Sequence, residues 1–495
     1  MSETQHLSEE ELRLEKLNRL RETTTHPFPY NYAKTHSVAE VLKIAETIDF
    51  TATEPQEFSI AGRVIARRGH GKASFGNILD TSGVIQYYVN NTTSDAESFE
   101  TIMSIDIGDI IGVKGILFLT QRGELSLRIT SAELLTKSLK PLPEKYHGLQ
   151  DKELRYRYRY IDLIANQEVK KTFELRSRII RELRDFLYNE QFIEVETPVL
   201  GNTYGGAAAR PFKTFHNDLG EELFLRISLE LPLKRLIVGG FEKVYEIGRV
   251  FRNEGTSFKH NPEYTLLELY QAYADYNDMM TLTENLLSSL VKSVHGSYQI
   301  DYQGTQIDFT PPFKRMTLSE ALKTHANVDM DSSLDSLREV AHRLGLDISN
   351  KPLKGQLLNY IYDKAVEHHL QNPVFITDYP WETSPLAKRH RNNPNLVERF
   401  ELIINTMEVA NSYSELNDPI DQLERFQDQQ KAKEAGDEEA HPMDEDYINA
   451  LKYGMPPTGG LGIGIDRIIM LLTNSETIRD VLFFPHMKSN TSPNT

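Results

Sequence analysis

Two extended runs separated by a polar loop constrain the fold of this chain more than any other stretch. Residues 244–252 mix β-branched, aromatic and polar side chains as a half-buried strand does, and residues 264–270 resume that pattern. The segment between them contains Gly255, Asn261 and Pro262, which are typical of loops. The chain is therefore predicted to form an antiparallel strand pair here.

Side-chain alternation places several polar groups on one face of the second strand. Tyr264, Glu268 and Tyr270 share that face, and Arg252 ends the strand before it. Taken singly, each is more simply a solvated strand residue or half of a surface ion pair. Together, a guanidinium, two aromatic rings and a carboxylate beside a polar loop favour a binding site for a flat, anionic ligand.

Composition excludes several classes of protein. The length of 495 residues favours two to four domains. The chain has no cysteine, which excludes disulfides, thiolate zinc sites and a cysteine nucleophile. No run approaches the ~18 apolar residues of a membrane span, and the first residues lack the pattern of a secretion signal. We therefore expect a cytoplasmic protein without a membrane partner.

The net charge of −17 argues only weakly against a nucleic-acid partner. Charge acts locally, over a Debye length of roughly 8–10 Å, so basic clusters can still bind phosphate. Two such clusters lie at residues 63–72 and 137–159. Each is more simply a solvated charged face unless the surrounding fold suits nucleic acid.

Residues 58–132 read as five short strands with a helix near 98–104 after the third, which matches an OB-fold barrel. Arg67 belongs to the basic connection between the first two strands, and Phe75 follows it. A positive loop, an exposed ring and an amide are what recognition of a single-stranded nucleic acid requires. Considered alone, Phe75 would more simply be a core residue.

Carboxylates in residues 400–418 predict a cation site. Asn411, Tyr413 and Glu415 share a strand face, whereas Glu408 has the opposite parity. If both carboxylates meet one ion, a bulge or bend must lie between them. Two carboxylates beside substrate phosphates are typical of Mg²⁺. Two unconnected surface glutamates are the simpler alternative.

A glycine-rich strand predicts a nucleotide platform near the end of the chain. Gly460, Gly462 and Gly464 leave one strand face without side chains, so a flat nucleotide could lie on it. The apolar spacing that follows predicts a helix with Arg467 at its start. Neither the Rossmann nor the P-loop motif occurs in the sequence.

Three runs resemble the signature motifs of class II aminoacyl-tRNA synthetases, and in detail those of the lysine-specific members. Residues 174–198 resemble motif 1, FRNEG followed by KHNPEYTLLELY resembles motif 2, and GLGIGIDR resembles motif 3. GKASF and GVIQYYV are similar to the anticodon-binding barrel of lysine, aspartate and asparagine synthetases, and MEVANSYSELND is similar to the metal and amino-acid strand.

The resemblance implies an α+β protein with an N-terminal OB-fold β-barrel and a class II catalytic domain, in which helices flank an antiparallel sheet. The implied domains are an N-terminal helical extension at 1–52, an OB-fold anticodon-binding domain at 53–140, a linker or hinge at 141–172, and a catalytic domain at 173–495 with a helical insertion at about 277–372.

The resemblance also implies a role for individual residues. The implied ATP ligands are Arg252, Glu254, His260, Asn261, Tyr264, Glu408 and Arg467. The implied lysine ligands are Gly206, Glu230, Arg252, Glu268, Tyr270, Asn411, Tyr413 and Glu415. The implied Mg²⁺ ligands are Glu408 and Glu415, the anticodon ligands are Arg67, Phe75 and Gln86, and the catalytic residues are Arg252 and Arg467.

The implied function is ATP-dependent ligation of L-lysine to the 3′ end of tRNA(Lys) through a lysyl-adenylate, by a homodimer that uses Mg²⁺. The chain departs from the family pattern RIAPELY at Ser228 and Pro232, which affects the pocket and the start of a helix. An aspartate or asparagine synthetase, a paralogue that lysylates elongation factor P and a non-catalytic RNA-binding protein are the alternatives. Against the first, Glu230, Glu268 and Glu415 suit an amine rather than an acidic side chain. Against the second, the paralogue lacks the barrel that is present here. Against the third, a protein that only bound RNA would not retain the ATP residues.

Overall fold

The chain folds into two compact units, Met1–Gln150 and Asp151–Thr495, which are described separately. The computed structural model describes residues 7–24, 26–50, 55–69, 71–143, 149–348, 352–434 and 440–489. The predicted boundary at 52/53 and part of the basic cluster at 137–159 lie outside these ranges.

The first unit is a closed barrel preceded by two helices. Its strands follow the order β1-β2-β3-β5-β4 around the barrel, and helix α3 comes after the third strand. The predicted OB-fold barrel is therefore confirmed. The elements are α1 Glu9–Thr23, α2 Val38–Ala45, β1 Glu57–Arg68, β2 Ala73–Leu79, β3 Val84–Asn90, α3 Ala96–Ser104, β4 Ile110–Leu119 and β5 Leu125–Thr136.

The second unit surrounds one large sheet. Its helices are α4 Lys152–Arg157, α5 Arg159–Ala165, α6 Gln167–Asn189, α7 Glu230–Val238, α8 Tyr276–His295, α9 Leu318–Ala326, α10 Leu334–Arg343, α11 Lys354–Ala365, α12 Pro419–Glu434, α13 Glu445–Lys452 and α14 Ile465–Leu472. Its strands are β6 Ile193–Glu194, β7 Leu200–Gly201, β8 Lys213–His216, β9 Glu221–Leu225, β10 Lys243–Phe251, β11 Glu263–Ala272, β12 Gln299–Tyr302, β13 Thr305–Asp308, β14 Lys314–Thr317, β15 Val374–Pro380, β16 Arg389–His390, β17 Asn393–Ile404, β18 Met407–Ser414 and β19 Thr458–Gly464. Short 3₁₀ turns lie at Glu367–His369, Trp381–Thr383 and Ile478–Asp480.

Nine strands of the described residues form this sheet, in the order β14-β15-β17-β18-β19-β11-β10-β6 with β16 paired to β17. The β10–β6 and β14–β15 pairs are parallel, and the other pairs are antiparallel. The predicted α+β catalytic fold is confirmed, with a mixed rather than a purely antiparallel sheet. None of the described helices combines the length and apolar character that crossing a membrane requires.

Helices cover both faces of the central strands. Leu267 and Leu269 of β11 join a core formed with α6, α8 and α14 on one face. Tyr270 of the same strand joins a different core, formed with α7 and α13 on the other face. The predicted alternation along β11 is therefore present, and the polar side chains of that strand lie on the α7 and α13 side.

The predicted linker and the predicted insertion each contain several elements of the second unit. The described part of 141–172 contains α4, α5 and the beginning of α6, and these helices belong to the second unit. Within the predicted insertion, α8 packs in the core of the central sheet. Helices α9, α10 and α11 enclose a core of their own against β15.

Register places the predicted site residues in two rows across three strands. Glu268 of β11 and Asn411 of β18 both pair with Gly462 of β19. One step along, Tyr270 and Tyr413 both pair with Gly460. Since the central residue of each row has no side chain, the flanking side chains can converge over β19.

A β-bulge shifts the side-chain parity of β18. Leu402 pairs with Ala410, whereas the next residue, Ile403, pairs with Glu408, so Val409 is the extra residue. The bulge brings Glu408 to the face of Asn411, whose side-chain amide donates to the Glu408 carboxylate at 3.3 Å. A bulge or bend between Glu408 and Glu415 was the condition for the two carboxylates to meet one ion, and a bulge lies there.

Candidate active site

Three buried carboxylates converge on the α7 side of the sheet. Glu230 begins α7, Glu268 lies on β11 and Glu415 follows β18; their exposed fractions are 4%, 5% and 1%. We call these residues, together with Lys234, the acidic pocket. Burying like charges together is unfavourable unless cations pair with them, so the arrangement suits an amine ligand.

Glu268 is held by three hydrogen bonds. Its carboxylate accepts from the Ser228 hydroxyl at 2.8 Å, from the Leu229 backbone N–H at 2.9 Å and from the Tyr270 hydroxyl at 3.0 Å. Burial, aided by the charge of Glu230, raises the pKa of Glu268 to about 7. Ser228, at which the chain departs from the family pattern, is therefore a direct donor to a pocket carboxylate.

Lys234 of α7 supplies a cation inside the acidic pocket, which the sequence reasoning missed. Its ammonium forms ion pairs with both Glu230 and Glu415, and its side chain has no exposed surface. Burial alone would lower the pKa of Lys234, but Glu230 and Glu415 outweigh it and raise that pKa. Glu230 and Lys234 are four residues apart on a predicted helix, and this spacing could have indicated their ion pair.

Two glycines make room for these side chains. Gly206 has a φ of +86°, and a Cβ there would lie 2.7 Å from the Ser228 hydroxyl oxygen. At Gly460 a Cβ would lie 2.0 Å from a carboxylate oxygen of Glu415. Neither position can carry a larger residue without displacing a pocket side chain. Gly206 is thus placed against Glu230, as its predicted role in the same site requires.

A second, more open site lies along the same face of the sheet. It is a cavity of about 260 Å³, lined by Lys259, His260, Asn359, Tyr362, Asp363, Glu367, Tyr379, Glu401, Ile403, Glu408 and Arg467. Three of the predicted ATP residues therefore line one cavity: His260 of the motif 2 loop, Glu408 of β18 and Arg467 of α14. We call it the nucleotide cavity.

Arg467 organises one side of the nucleotide cavity. Its guanidinium donates to the backbone carbonyl of Glu408 and lies 3.6 Å from the Glu408 carboxylate. It also lies 3.3 Å from Nε2 of His260, whose Nδ1 is 2.8 Å from the Ser257 hydroxyl. Because arginine only donates, Nε2 accepts and His260 is neutral. Desolvation and the nearby Arg467 lower the pKa of His260 to about 4, which is consistent with a neutral imidazole at pH 7.

The remaining predicted ATP residues lie around the motif 2 loop. Arg252 follows β10, with its guanidinium 5.5 Å from the centre of the Tyr264 ring. Glu254 is exposed, whereas Asn261 is buried and its amide donates to the Glu263 carbonyl at 2.6 Å. Arg252 and Tyr264 therefore form a cation–π contact, and Asn261 braces the start of β11.

The structure separates the predicted metal ligands Glu408 and Glu415. Six residues lie between them, roughly 20 Å of extended chain, and Glu415 is paired with Lys234. Glu401, across the β17–β18 hairpin, lines the nucleotide cavity together with Glu408, whereas Glu415 does not line it. That Glu408 and Glu415 share one ion stays a prediction.

Glu401 and its neighbours give the nucleotide cavity a carboxylate-rich wall. Glu401 is ion-paired with Arg399, yet burial and the charge of Glu408 raise its pKa. Burial, with Glu367 and Glu408, raises the pKa of Asp363 of α11 to about 6. These acids repel one another, so the wall would gain from a cation. No cluster of three or more potential metal ligands occurs within the described ranges.

Asn411 and Tyr413 lie between the two sites on β18. The side-chain oxygen of Asn411 is buried without a hydrogen-bond partner, which leaves an acceptor available. The Tyr413 ring lies 5.7 Å from the guanidinium carbon of Arg399. Both residues are placed where a ligand spanning the acidic pocket and the nucleotide cavity would pass.

The barrel carries an aromatic surface at the predicted anticodon residues. The Phe75 ring lies 4.6 Å from that of Tyr88, which lies 5.8 Å from that of Phe118. Gln86 is buried and accepts from the Ser126 hydroxyl at 2.7 Å. Arg67 donates to the Met103 and Ile105 carbonyls, each at 2.7 Å. Of the three predicted anticodon ligands, Arg67 and Gln86 therefore already have hydrogen-bond partners within the barrel unit.

Comparisons with known proteins identify the family. The model for class II tRNA synthetases (D, K and N) matches residues 151–488, and that for the OB-fold nucleic acid binding domain matches residues 58–135. The lysine--tRNA ligase of Pelotomaculum thermopropionicum is 53% identical over 481 residues, which are 96% of this chain and 94% of that protein. The chain belongs to the lysine--tRNA ligase family. The family member of Syntrophomonas wolfei is 51% identical over 496 residues, 99% of this chain and 100% of that protein.

Membership of the lysine--tRNA ligase family confirms the predicted enzyme class. The relative from Thermoanaerobacter sp. (strain X514), also named lysine--tRNA ligase, is 52% identical over 479 residues, 96% of this chain and 95% of that protein. The aminoacyl-tRNA synthetases of this family use ATP.

Proposed function

We propose that this protein ligates L-lysine to the 3′ end of tRNA(Lys) in two steps. First, a lysine carboxylate oxygen attacks the α-phosphorus of ATP, which gives lysyl-adenylate and pyrophosphate. Then the terminal ribose hydroxyl of the tRNA attacks the acyl carbon, which gives lysyl-tRNA and AMP. The observation that carries the proposal is the convergence of three buried carboxylates beside a cavity that contains Arg467.

The acidic pocket would hold the two ammonium groups of lysine. Glu268, with Tyr270, and Glu415 are proposed for the ε-ammonium, and Glu230 with Gly206 for the α-amino group. Asn411 and Tyr413 would line the path between the pocket and the nucleotide. An aspartate side chain would instead meet repelling carboxylates, because the Lys234 cation is already engaged by two acids, and a neutral asparagine amide would bring no charge to compensate them.

Arg252 is proposed to bind the lysine carboxylate and the α-phosphate at once. Its contact with the Tyr264 ring at the end of β10 supports this role, because Tyr264 is proposed to stack on adenine. Arg467 would bind the γ-phosphate, and Glu254, His260 and Asn261 are proposed to hold other parts of ATP. No protein nucleophile is required, because positioning and neutralisation of phosphate charge supply the catalysis.

Glu401 and Glu408 would hold Mg²⁺. Both present hard oxygen donors to the nucleotide cavity, and a cation would relieve their mutual repulsion. The ion, when bound, would neutralise phosphate charge during transfer. The β17–β18 hairpin brings these two carboxylates to the same cavity.

The barrel is proposed to bind the anticodon through Phe75, with Arg67 and Gln86 beside it. The aromatic surface formed with Tyr88 and Phe118 supports stacking of unpaired bases. We further propose a homodimer and a cytoplasmic location, in keeping with motif 1 and with a tRNA substrate.

Arg252→Ala tests the proposed function. The variant should abolish lysine-dependent exchange of pyrophosphate into ATP, because it removes the group shared by both reactants, and tRNA binding by filter retention should be unchanged. The wild-type protein, assayed with each of the twenty amino acids, establishes the substrate. Wild-type exchange activity in the variant, or exchange driven by aspartate or asparagine instead of lysine, would contradict the proposal.

A further inference from the structure

Arg176 of α6 is the point at which three other segments of the second unit meet. Its guanidinium donates to the Asp466 carboxylate at 2.6 Å, to the Thr265 hydroxyl at 3.2 Å and to the Val481 carbonyl at 3.2 Å. Thr265 belongs to β11, Asp466 to α14, and Val481 to the segment after α14. One side chain of the motif 1 run is thus bonded to the motif 2 run and to the motif 3 run.

Two partners of Arg176 are also bonded to each other. The backbone N–H of Thr265 donates to the second carboxylate oxygen of Asp466 at 2.8 Å. Asp466 and Thr265 are buried, and the side chain of Arg176 is only 11% exposed. Arg176, Asp466 and Thr265 therefore form a closed ring of largely dehydrated hydrogen bonds to a charged group, which are stronger and more directional than neutral ones. We call this ring the arginine clamp.

The immediate neighbours of two clamp residues are proposed ATP ligands. Tyr264 precedes Thr265 on β11, and Arg467 follows Asp466 on α14. Because side chains alternate along a strand, Tyr264 points away from the clamp, and its ring contacts Arg252 instead. Arg467 lines the nucleotide cavity. The clamp therefore fixes, from behind, the backbone beside the two residues that are proposed to bind the adenine and the γ-phosphate.

We propose that Arg176 is a positioning residue for ATP, which holds Asp466 and Thr265 in one ring and thereby sets the separation between Tyr264 and Arg467. This inference rests on the proposed function, which assigns the two ends of ATP to these two side chains. A purely structural role for Arg176 would lower the stability of the fold without distinguishing ATP from lysine.

The acidic pocket has supports of its own, so loss of the clamp should affect ATP more than lysine. Glu230 and Glu415 are paired with Lys234, and Glu268 accepts hydrogen bonds from Ser228 and from the beginning of α7. These contacts lie on the α7 side of the sheet, whereas the clamp joins α6 to α14 and β11.

Arg176→Met tests this role, because the substitution keeps an unbranched side chain and removes the guanidinium. A displacement of about 1 Å can lower a rate about a hundredfold, so we expect kcat/KM for ATP in lysine-dependent pyrophosphate exchange to fall roughly tenfold to a hundredfold. The KM for lysine should stay within about twofold, because uniform binding of lysine is retained. Circular dichroism and thermal melting establish that the variant is folded.

Asp466→Asn provides an independent measurement from the other side of the clamp. An amide has one acceptor oxygen, so it cannot accept from both Arg176 and Thr265 as the two carboxylate oxygens do. This variant should show the same selective loss for ATP. If the two residues act through one ring, the double variant Arg176→Met/Asp466→Asn should lose less than the product of the two single factors. Should Arg176→Met fail to fold, Asp466→Asn tests the proposal by itself.

Arg159→Met is the matched control for loss of a buried arginine. Arg159 is paired with a buried aspartate, Asp162, and it donates to the carbonyls of Arg479, Leu482 and Phe483, in the same segment after α14 that the clamp contacts. Its removal should lower the melting temperature. It should leave the KM for ATP unchanged, because Arg159 holds this segment without holding the clamp.

Chemical rescue tests whether the guanidinium itself is responsible. Arg176 lines a cavity of about 190 Å³, so a small cation can reach the space that Arg176→Ala would leave. Added methylguanidinium should lower the KM for ATP of this variant in a saturable manner. Methylurea, which has a similar shape and no charge, should not.

A folded Arg176→Met protein with the wild-type KM for ATP would overturn the role of Arg176. So would equal losses for ATP and lysine, or the same loss for ATP in Arg159→Met. Failure of the wild-type protein to show lysine-dependent exchange is a different result, because it overturns the proposed function itself.

Discussion

Ser228→Ala should move the pH dependence of lysine activation. The Ser228 hydroxyl is one of three donors to the Glu268 carboxylate, at 2.8 Å, and the burial of Glu268 places its pKa at about 7. A hydrogen bond to a charged group contributes about 1.5–3 kcal/mol, and one pKa unit corresponds to about 1.4 kcal/mol. Because two donors remain, we expect the lower end of that range, a rise of roughly one pKa unit.

The expected rate change follows from the ionised fraction of Glu268. Only the carboxylate form attracts the ε-ammonium, so activity is lost as the pH falls through the pKa of Glu268. A rise from about 7 to roughly 8 lowers the ionised fraction at pH 7 from about one half to about one tenth. Thus kcat/KM for lysine should fall about fivefold at pH 7 and change by less than about 1.5-fold at pH 8.5.

The assay is lysine-dependent pyrophosphate exchange between pH 6 and 8.5, with kcat/KM measured for lysine and for ATP. Ser288→Ala is the matched control, because Ser288 is a buried serine of α8 whose hydroxyl donates to the Phe309 carbonyl, away from the pocket. It should leave the profile unchanged. Superimposable acid limbs for Ser228→Ala and wild type would refute the assignment of this titration to Glu268.

Two further substitutions separate the metal from the amino acid and the anticodon from the active site. Glu401→Gln should raise the Mg²⁺ concentration for half-maximal exchange, since it removes a carboxylate from the nucleotide cavity. Glu415→Gln should raise the KM for lysine and leave the Mg²⁺ requirement unchanged, because Glu415 is paired with Lys234 in the acidic pocket. The opposite pattern would assign the ion to Glu415 instead of Glu401. Phe75→Ala should raise the KM for tRNA about tenfold, because stacking of a base contributes about 1–3 kcal/mol. Pyrophosphate exchange should not change. An unchanged KM for tRNA would exclude stacking of a base on this ring.

Local patterns predicted the framework of the fold well. The β10–β11 pair, the OB-fold barrel with its helix after the third strand, and the helix that begins near Arg467 all follow from periodicity and loop residues that lie close together in the chain. Parity along β18 called for a bulge or bend if Glu408 and Glu415 were to meet one ion, and the structure has a bulge at Val409. Each of these features depends on neighbours in sequence.

Features that depend on distant neighbours were not predicted. In sequence, Lys234 is an ordinary helical lysine four residues after Glu230, and only packing of the segment after β18 against α7 encloses it. Glu401 meets Glu408 through the register of a hairpin, which strand parity alone does not give. Arg67 was expected to face phosphate, but the end of α3 supplies carbonyl partners from more than thirty residues away.

The extra residue at Val409 makes the length of β18 as important as its composition. Regular pleating with Val409 retained would put three residue steps between Glu408 and Asn411 and turn Glu408 towards the apolar layer of α6, α8 and α14. Deleting Val409 would remove the bulge and leave two steps, so Glu408 should stay on the face of Asn411. Grafting this segment into another synthetase therefore demands that residues be counted as carefully as they are matched.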